Sequence, residues 1–351
     1  MAIYNIDKPI DFADYIIESE RNFDTIIEYF GLMEDSTTAI VPVGGNTKDS
    51  KTNNNTKDKS FWEKVLARLK AFGEAVIKWF KNLIEKGQHL FDIIKTKMLS
   101  WITALREKYQ KLTIASGGYA KIDVEGYNFT PEKVPDYNAN DAEKIINDTY
   151  KMSIKEVLHA SEDELNKIED IDPETIKAKI RKMATGKELG SDQEVSEELF
   201  NLYRNGGKKK KLEVGGIGIN FLIRDANDGF YRIKSIMNRT VERGKKIQNL
   251  INDTDATIKN AESRFTQWQN EEGYTIFSKA YGKFRDIIGC YKTVLSVDFQ
   301  VAGSKYIYYR DMLMQQEDTV AYLMKIGVLI PKNQSANASY LDEYLDRVII
   351  D

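Results

Sequence analysis

SFWEKVLARLKAFGEAVIKWFKNLIEKGQHLFDIIKTKMLSWITALREKYQKL, residues 60–112, is the stretch that decides the fold class. Trp62, Leu66, Leu69, Val76, Phe80, Leu83, Leu90, Ile94 and Trp101 recur at steps of three and four, or sums of such steps. Gly73 and Gly87 fill two further positions of the same row. That period predicts an amphipathic helix. Ser60 with Glu63 matches a capping box and predicts its start. At Lys97 the row breaks and resumes one place over, through Met98, Ile102, Leu105 and Tyr109. A straight helix of 3.6 residues per turn drifts in this way against a strict heptad. Gly87-Gln88-His89 is the expected break into a hairpin.

The two faces of this segment differ in chemistry. Phe72, Trp79, Phe80, Phe91 and Trp101 join Trp62 on the apolar side. Lys64, Arg68, Lys70, Lys78, Lys81, Lys86, Lys95 and Lys97 lie on the other. Aromatic residues opposite lysines suit packing against an acidic helical partner, with glycines allowing close approach. They also suit an interfacial membrane helix. The candidate partner- or membrane-binding residues are Trp62, Leu66, Leu69, Gly73, Val76, Trp79, Phe80, Leu83 and Trp101.

Outward from this segment the chain divides by texture. Residues 1–35 read as an acidic, aromatic helical segment, and 36–59 as a flexible linker whose polar run offers nothing to bury. Residues 113–137 read as an extended connector, with Ala120, Ile122 and Val124 alternating with charged residues as in a short strand. Residues 138–205 read as a small acidic helical domain, with a capping box at Ser161 and Glu164, a helix start at Asp172-Pro173 and stops at Gly186 and Gly190. Residues 206–351 read as a C-terminal helical domain. Its helices are expected over 230–265, over 275–326 with breaks near Gly289 and Gly303, and over 338–348. The expected fold is mainly α, an elongated multi-helix bundle with a long amphipathic helix or helical hairpin and minor β elements.

Charge follows the same divisions. Net charge runs −5 over 1–59, +6 over 60–112, −8 over 113–205 and +4 over 206–351, which sums to the −3 of the whole chain. Alternating blocks suggest segments that attract one another or different partners. A near-neutral total gives no bulk signature of nucleic-acid binding. One cysteine, Cys290, excludes an intramolecular disulfide, and its apolar surroundings predict a small core residue. The N-terminus lacks the layout of a signal peptide. No apolar run reaches the roughly 18 residues of a membrane span.

No pattern of catalysis or metal binding emerges. Gly215-Gly216-Ile217-Gly218 has Phe221 where a dinucleotide loop needs its third glycine. Asp225-Ala226-Asn227-Asp228-Gly229 places its glycine one position early for a calcium loop and reads as a turn or helix cap. His89 and His159 lack cysteine partners for a structural zinc site. Lys208, Lys209, Lys210 and Lys211 are candidate phosphate contacts, but no aromatic residue is interleaved. No enzyme activity, cofactor or metal is expected.

The acidic N-terminal helix, the Asn/Lys/Thr linker, the basic Phe61-Trp62-Glu63-Lys64…Lys78-Trp79-Phe80-Lys81 helix and the helical C-terminal body together resemble internal or structural virion proteins of large tailed bacteriophages. The resemblance implies a non-enzymatic protein, made in the host cytoplasm and located in the virion. It would bind capsid, portal or tail proteins, associate with itself and contact the DNA backbone. A membrane-active protein using 60–112 is the alternative.

Overall fold

The computed structural model describes residues 54–125, 135–168, 171–204, 209–214, 220–264 and 271–333. Three long helices dominate: α1, Asn54–Ile93 (40 residues); α8, Asn220–Arg264 (45 residues); and α9, Glu271–Lys325 (55 residues). A π-helical turn, Ile94–Met98, joins α1 directly to α2, Leu99–Gln110. Shorter helices are α3 (Ala139–Tyr150), α4 (Ile154–Val157), α5 (Glu162–Asn166), α6 (Pro173–Thr185) and α7 (Asp192–Arg204). Four short strands complete the set: β1 (Leu112–Ile114), β2 (Ala120–Glu125), β3 (Lys209–Val214) and β4 (Leu329–Pro331). They form two antiparallel pairs, β1–β4 and β2–β3. The fold is mainly α with minor β elements.

The described chain forms two units, each assembled from three stretches. Unit 1 takes residues 54–86, 137–193 and 243–299. Unit 2 takes 87–136, 194–242 and 300–333. The blocks read from sequence as successive domains are therefore divided between units. The acidic block 138–205 contributes to both, as do α1, α8 and α9.

In unit 1, α9 is the core element. From Ile287 to Phe299 every residue except Tyr291 is buried, so this part of the helix is enclosed on all sides. Phe72 of α1 meets Tyr281 and Phe284 of α9 edge-on, with ring centroids 5.7 and 5.9 Å apart. Gly73 lets α1 close on α8, since a Cβ there would lie 1.7 Å from Ile258 Cδ1. The short helices carry the stops read from sequence. Ser161 and Glu164 form a capping box, Asp172 caps α6 with Pro173 in its first turn, and Gly186 ends it at φ 76°. The left-handed C-cap of α3 is Lys151, at φ 52°.

In unit 2, Leu90, Ile94, Met98, Trp101, Ile102, Leu105 and Tyr109 are buried. Gly229 of α8 packs on Leu313 of α9, with a Cβ built there 3.1 Å from Leu313 Cδ1. Arg106 of α2 lies over the Phe230 ring at 5.5 Å. The strand read at Ala120, Ile122 and Val124 is β2.

Several boundaries depart from the sequence reading. Helix α1 starts at Asn54, so Ser60 sits inside it and residues 54–59 are helix, not linker. No hairpin breaks it: Gly87 is a buried interior position. The one-place shift of the apolar row at Lys97 is the π turn, which adds one residue to a turn and rotates everything after it. Asp225–Gly229 is interior to α8, because Ala226 is fully buried and Gly229 faces Leu313. Gly289 and Gly303 are buried inside an unbroken α9, where packing overrides the low helix propensity of glycine. The helices expected within 1–35 and 338–348, the linker residues 36–53 and the glycine cluster 215–218 lie outside the described residues.

Candidate functional site

The apolar row of 60–112 was the leading site expected from sequence. In unit 1, Leu69, Val76, Trp79, Phe80 and Leu83 are at most 4% exposed and Gly73 is buried. Leu66 is half-buried, and the Trp62 side chain lies outside the described residues. In unit 2, Trp101 is buried and its indole Nε1 donates to Glu317 Oε2 at 3.1 Å. Burying each large apolar side chain stabilises the fold by roughly 1.5–3 kcal/mol. Apart from half-buried Leu66, the described members of the row are therefore packed within the chain's own fold, which corrects their reading as a surface open to a partner or a membrane. The basic face is partly occupied too. Lys70 pairs with Glu262 at 2.5 Å, and Lys108 lies 3.6 Å from Glu317.

Lys209, Lys210 and Lys211 begin β3, and Lys208 lies outside the described residues. The register sets Lys211 opposite Asp123, Lys209 opposite Glu125 and Glu213 opposite Lys121. Oppositely charged residues facing each other across an antiparallel pair stabilise it. Two positions of the run, Lys209 and Lys211, thus stand opposite acidic positions of β2, and Lys210 stands opposite Val124.

Two buried charge clusters in unit 1 were not read from the sequence. In one, Arg243 of α8 donates from Nε to Asp298 Oδ2 of α9 at 2.7 Å and from Nη1 to Glu143 Oε1 of α3 at 2.8 Å. Lys246 Nζ donates to Glu143 Oε2 at 2.7 Å and also to the Asn140 side chain. In the other, Arg181 of α6 donates from Nε to Asp192 Oδ1 at 2.7 Å and from Nη1 to the Gly190 carbonyl at 2.9 Å. Lys292 Nζ of α9 lies 3.5 Å from Asp192 Oδ2. Arg243, Asp298, Arg181, Asp192 and Lys292 are all buried. Each charge meets an opposite charge, as burial requires. A signal existed: Asp298 interrupts the apolar run Val294-Leu295-Ser296-Val297-Asp298-Phe299, and a charge in such a run needs a buried partner.

Most of these pairs join the acidic block 113–205 to the basic block 206–351. Glu143, Asp192, Glu162 and Asp136 meet Arg243 and Lys246, Lys292, Lys279, and Lys305 respectively. The attraction between blocks suggested by charge alternation is realised within the chain.

A third group surrounds Cys290. Its thiol is fully buried, with Sγ 3.9 Å from the Pro173 carbonyl, and burial pushes its pKa up to about 12. The neighbouring Tyr150 hydroxyl is pushed up by burial, and further by Cys290 and Asp286. Burial also raises the Asp286 carboxyl, against the opposing effect of Lys283 at 3.6 Å. A thiol and a phenol held protonated are poor nucleophiles. Cys290 is therefore a core residue, in line with the sequence reading. His159 is held below its usual value by burial and by Arg264, and the nearby Glu156 is engaged in the Ser153 capping box.

Among the described residues, seven large hydrophobic side chains are exposed: Tyr119, Phe200, Tyr231, Val241, Met314, Tyr322 and Met324. All seven fall in unit 2. Tyr231 is 67% exposed and Tyr119 59%. No group of three or more His, Cys, Asp or Glu among the described residues could hold a metal ion. No described helix is long and apolar enough to cross a membrane. Compared with known proteins, the chain matches no family model, no curated protein and no solved structure.

Proposed function

We propose that this chain is a non-enzymatic structural or internal virion protein of a tailed phage, acting by protein–protein assembly, with the assembly surface on unit 2. The observation that carries the assembly reading is the distribution of apolar side chains. The aromatic row of α1 is buried in the chain's own fold, while the exposed large hydrophobic residues among those described all lie in unit 2. Exposed aromatic and methionine side chains are the residue types enriched at protein interfaces. The virion assignment itself rests on the resemblance of the chain's layout. Its partners would be capsid, portal or tail proteins.

The test is mass spectrometry of purified particles of the source phage, with Tyr231→Asp and Met314→Asp chains supplied in trans. The wild-type chain is expected in the particle and the variants depleted from it. Failure to find the wild-type chain in any particle fraction overturns the virion reading. Full incorporation of the variants overturns the placement of the surface on unit 2.

A further inference from the structure

The β2–β3 ribbon of unit 2 has two edges of different character. Its six paired positions run from Ala120 opposite Val214 to Glu125 opposite Lys209. Among the described residues neither strand has a second neighbour. A two-stranded ribbon is marginal in water by itself, and a sheet edge offers backbone N–H and C=O groups to a further strand. The β3 edge opens with Lys209, Lys210 and Lys211, the residue type that keeps edge strands from pairing. The β2 edge reads Ala120-Lys121-Ile122-Asp123-Val124.

That sequence is complementary to itself. Consider a second copy of β2 laid antiparallel, with Ile122 on the two-fold axis. Ala120 then stands opposite Val124, Lys121 opposite Asp123, and Ile122 opposite Ile122. Directly opposite positions share a face, so apolar positions stand opposite apolar positions and each lysine position opposite an aspartate position. Moving the axis to Lys121 or to Asp123 sets like charges opposite each other on the axis. Placing it between residues sets apolar residues opposite charged ones. One register therefore satisfies both hydrophobic pattern and charge, in the isologous arrangement of a two-fold dimer.

We infer that the β2 edge is a contact between two copies of this chain, which extend the ribbon into a four-stranded sheet ordered β3–β2–β2–β3. The inference deepens the assembly reading by naming a second copy as one partner, and it rests on that reading only in taking the chain to act through protein contacts.

The test uses the full chain in a Cys290→Ala background, which leaves no other thiol. Directly opposite residues have Cα atoms about 4.5–5.5 Å apart, within the roughly 4.4–6.8 Å that a disulfide spans. Position 121 is displaced from its own copy by two residues, roughly 8 Å between Cα atoms, beyond that reach. Ile122→Cys is expected to oxidise to a covalent dimer of twice the 40.3 kDa chain, at least tenfold faster than Lys121→Cys. Mixed Lys121→Cys and Asp123→Cys chains are expected to cross-link as fast as Ile122→Cys. By sedimentation equilibrium the wild-type chain is expected to show a dimer mass. A wild-type monomer at all concentrations, or equal cross-linking of Ile122→Cys and Lys121→Cys, overturns the inference. If the chain is monomeric yet present in particles, this contact fails and the assembly reading stands. If it is a dimer absent from particles, the reverse holds.

Discussion

Replacing Gly73 with alanine should separate close helix packing from simple helix propensity. A Cβ at Gly73 would lie 1.7 Å from Ile258 Cδ1 and 2.9 Å from Ile258 Cγ1. Ile258 is 8% exposed, so its side chain has little room to swing away. Overpacking of this kind costs about 1–3 kcal/mol. Glycine to alanine in a helix interior returns about 1 kcal/mol through propensity. Gly73→Ala is therefore expected to be neutral to about 2 kcal/mol destabilising. Gly244 and Gly282 serve as controls, because a Cβ at either meets nothing within 4 Å. Gly244→Ala and Gly282→Ala should each stabilise by up to about 1 kcal/mol. All these positions lie in unit 1, so one unfolding transition reports on them together. The assay is urea unfolding followed by circular dichroism at constant slope, with Ile258→Ala as the fourth corner of a cycle. In the Ile258→Ala background, Gly73→Ala should turn stabilising, a coupling of about 1–3 kcal/mol. If Gly73→Ala alone stabilises as much as Gly244→Ala, the close approach of α1 and α8 is refuted.

Other perturbations address the buried polar groups. Asp298→Ala strands the buried Arg243 guanidinium beside Glu143 alone and should cost about 3–5 kcal/mol; the double Arg243→Met, Asp298→Leu chain should recover most of that in thermal melts, and equal loss in both would argue against a buried pair. Asp286 has its carboxyl raised above the ordinary 3.8 by burial, so its contribution is fully present below that value and is lost as pH rises through the raised one. The stability of Asp286→Asn relative to wild type should therefore grow as pH rises from about 3.8, and a pH-independent difference would contradict the assigned burial. Cys290, buried and with its thiol pushed up to about 12, should react with a thiol reagent at neutral pH no faster than unit 1 unfolds; prompt stoichiometric labelling of folded protein would place it at the surface.

The sequence carried the helical class because the row keeps its period from Leu66 to Ile94 and, after the one-place shift at Lys97, resumes through Leu105. Capping signals at Ser161, Asp172 and Gly186 worked because they act locally, through side chains and φ angles within a few residues. The glycines misled for the opposite reason. Gly87, Gly289 and Gly303 read as breaks, yet each is a buried helical position, and burial is a tertiary property that local propensity does not contain. The π turn at Ile94–Met98 left a visible mark, the one-place shift at Lys97, which also matches ordinary helical drift. The exposure of the aromatic row was not legible either, because an amphipathic helix has the same pattern whether its own chain or another covers it. Most links of the charge clusters join residues 55 to 103 positions apart, such as Arg243 with Asp298 and Lys246 with Glu143. Only the isolated charge in an apolar run hinted at them.

In the proposed assembly the aromatic helix serves the chain's own core and unit 2 meets the neighbours. Hydrogen–deuterium exchange of the full chain, free and within purified particles, tests it most directly. Residues 65–83 are expected to exchange slowly in both states, with new protection in the particle on 120–125, 220–242 and 300–325. Rapid exchange of 65–83 in the free chain, with protection gained there on assembly, would contradict the account.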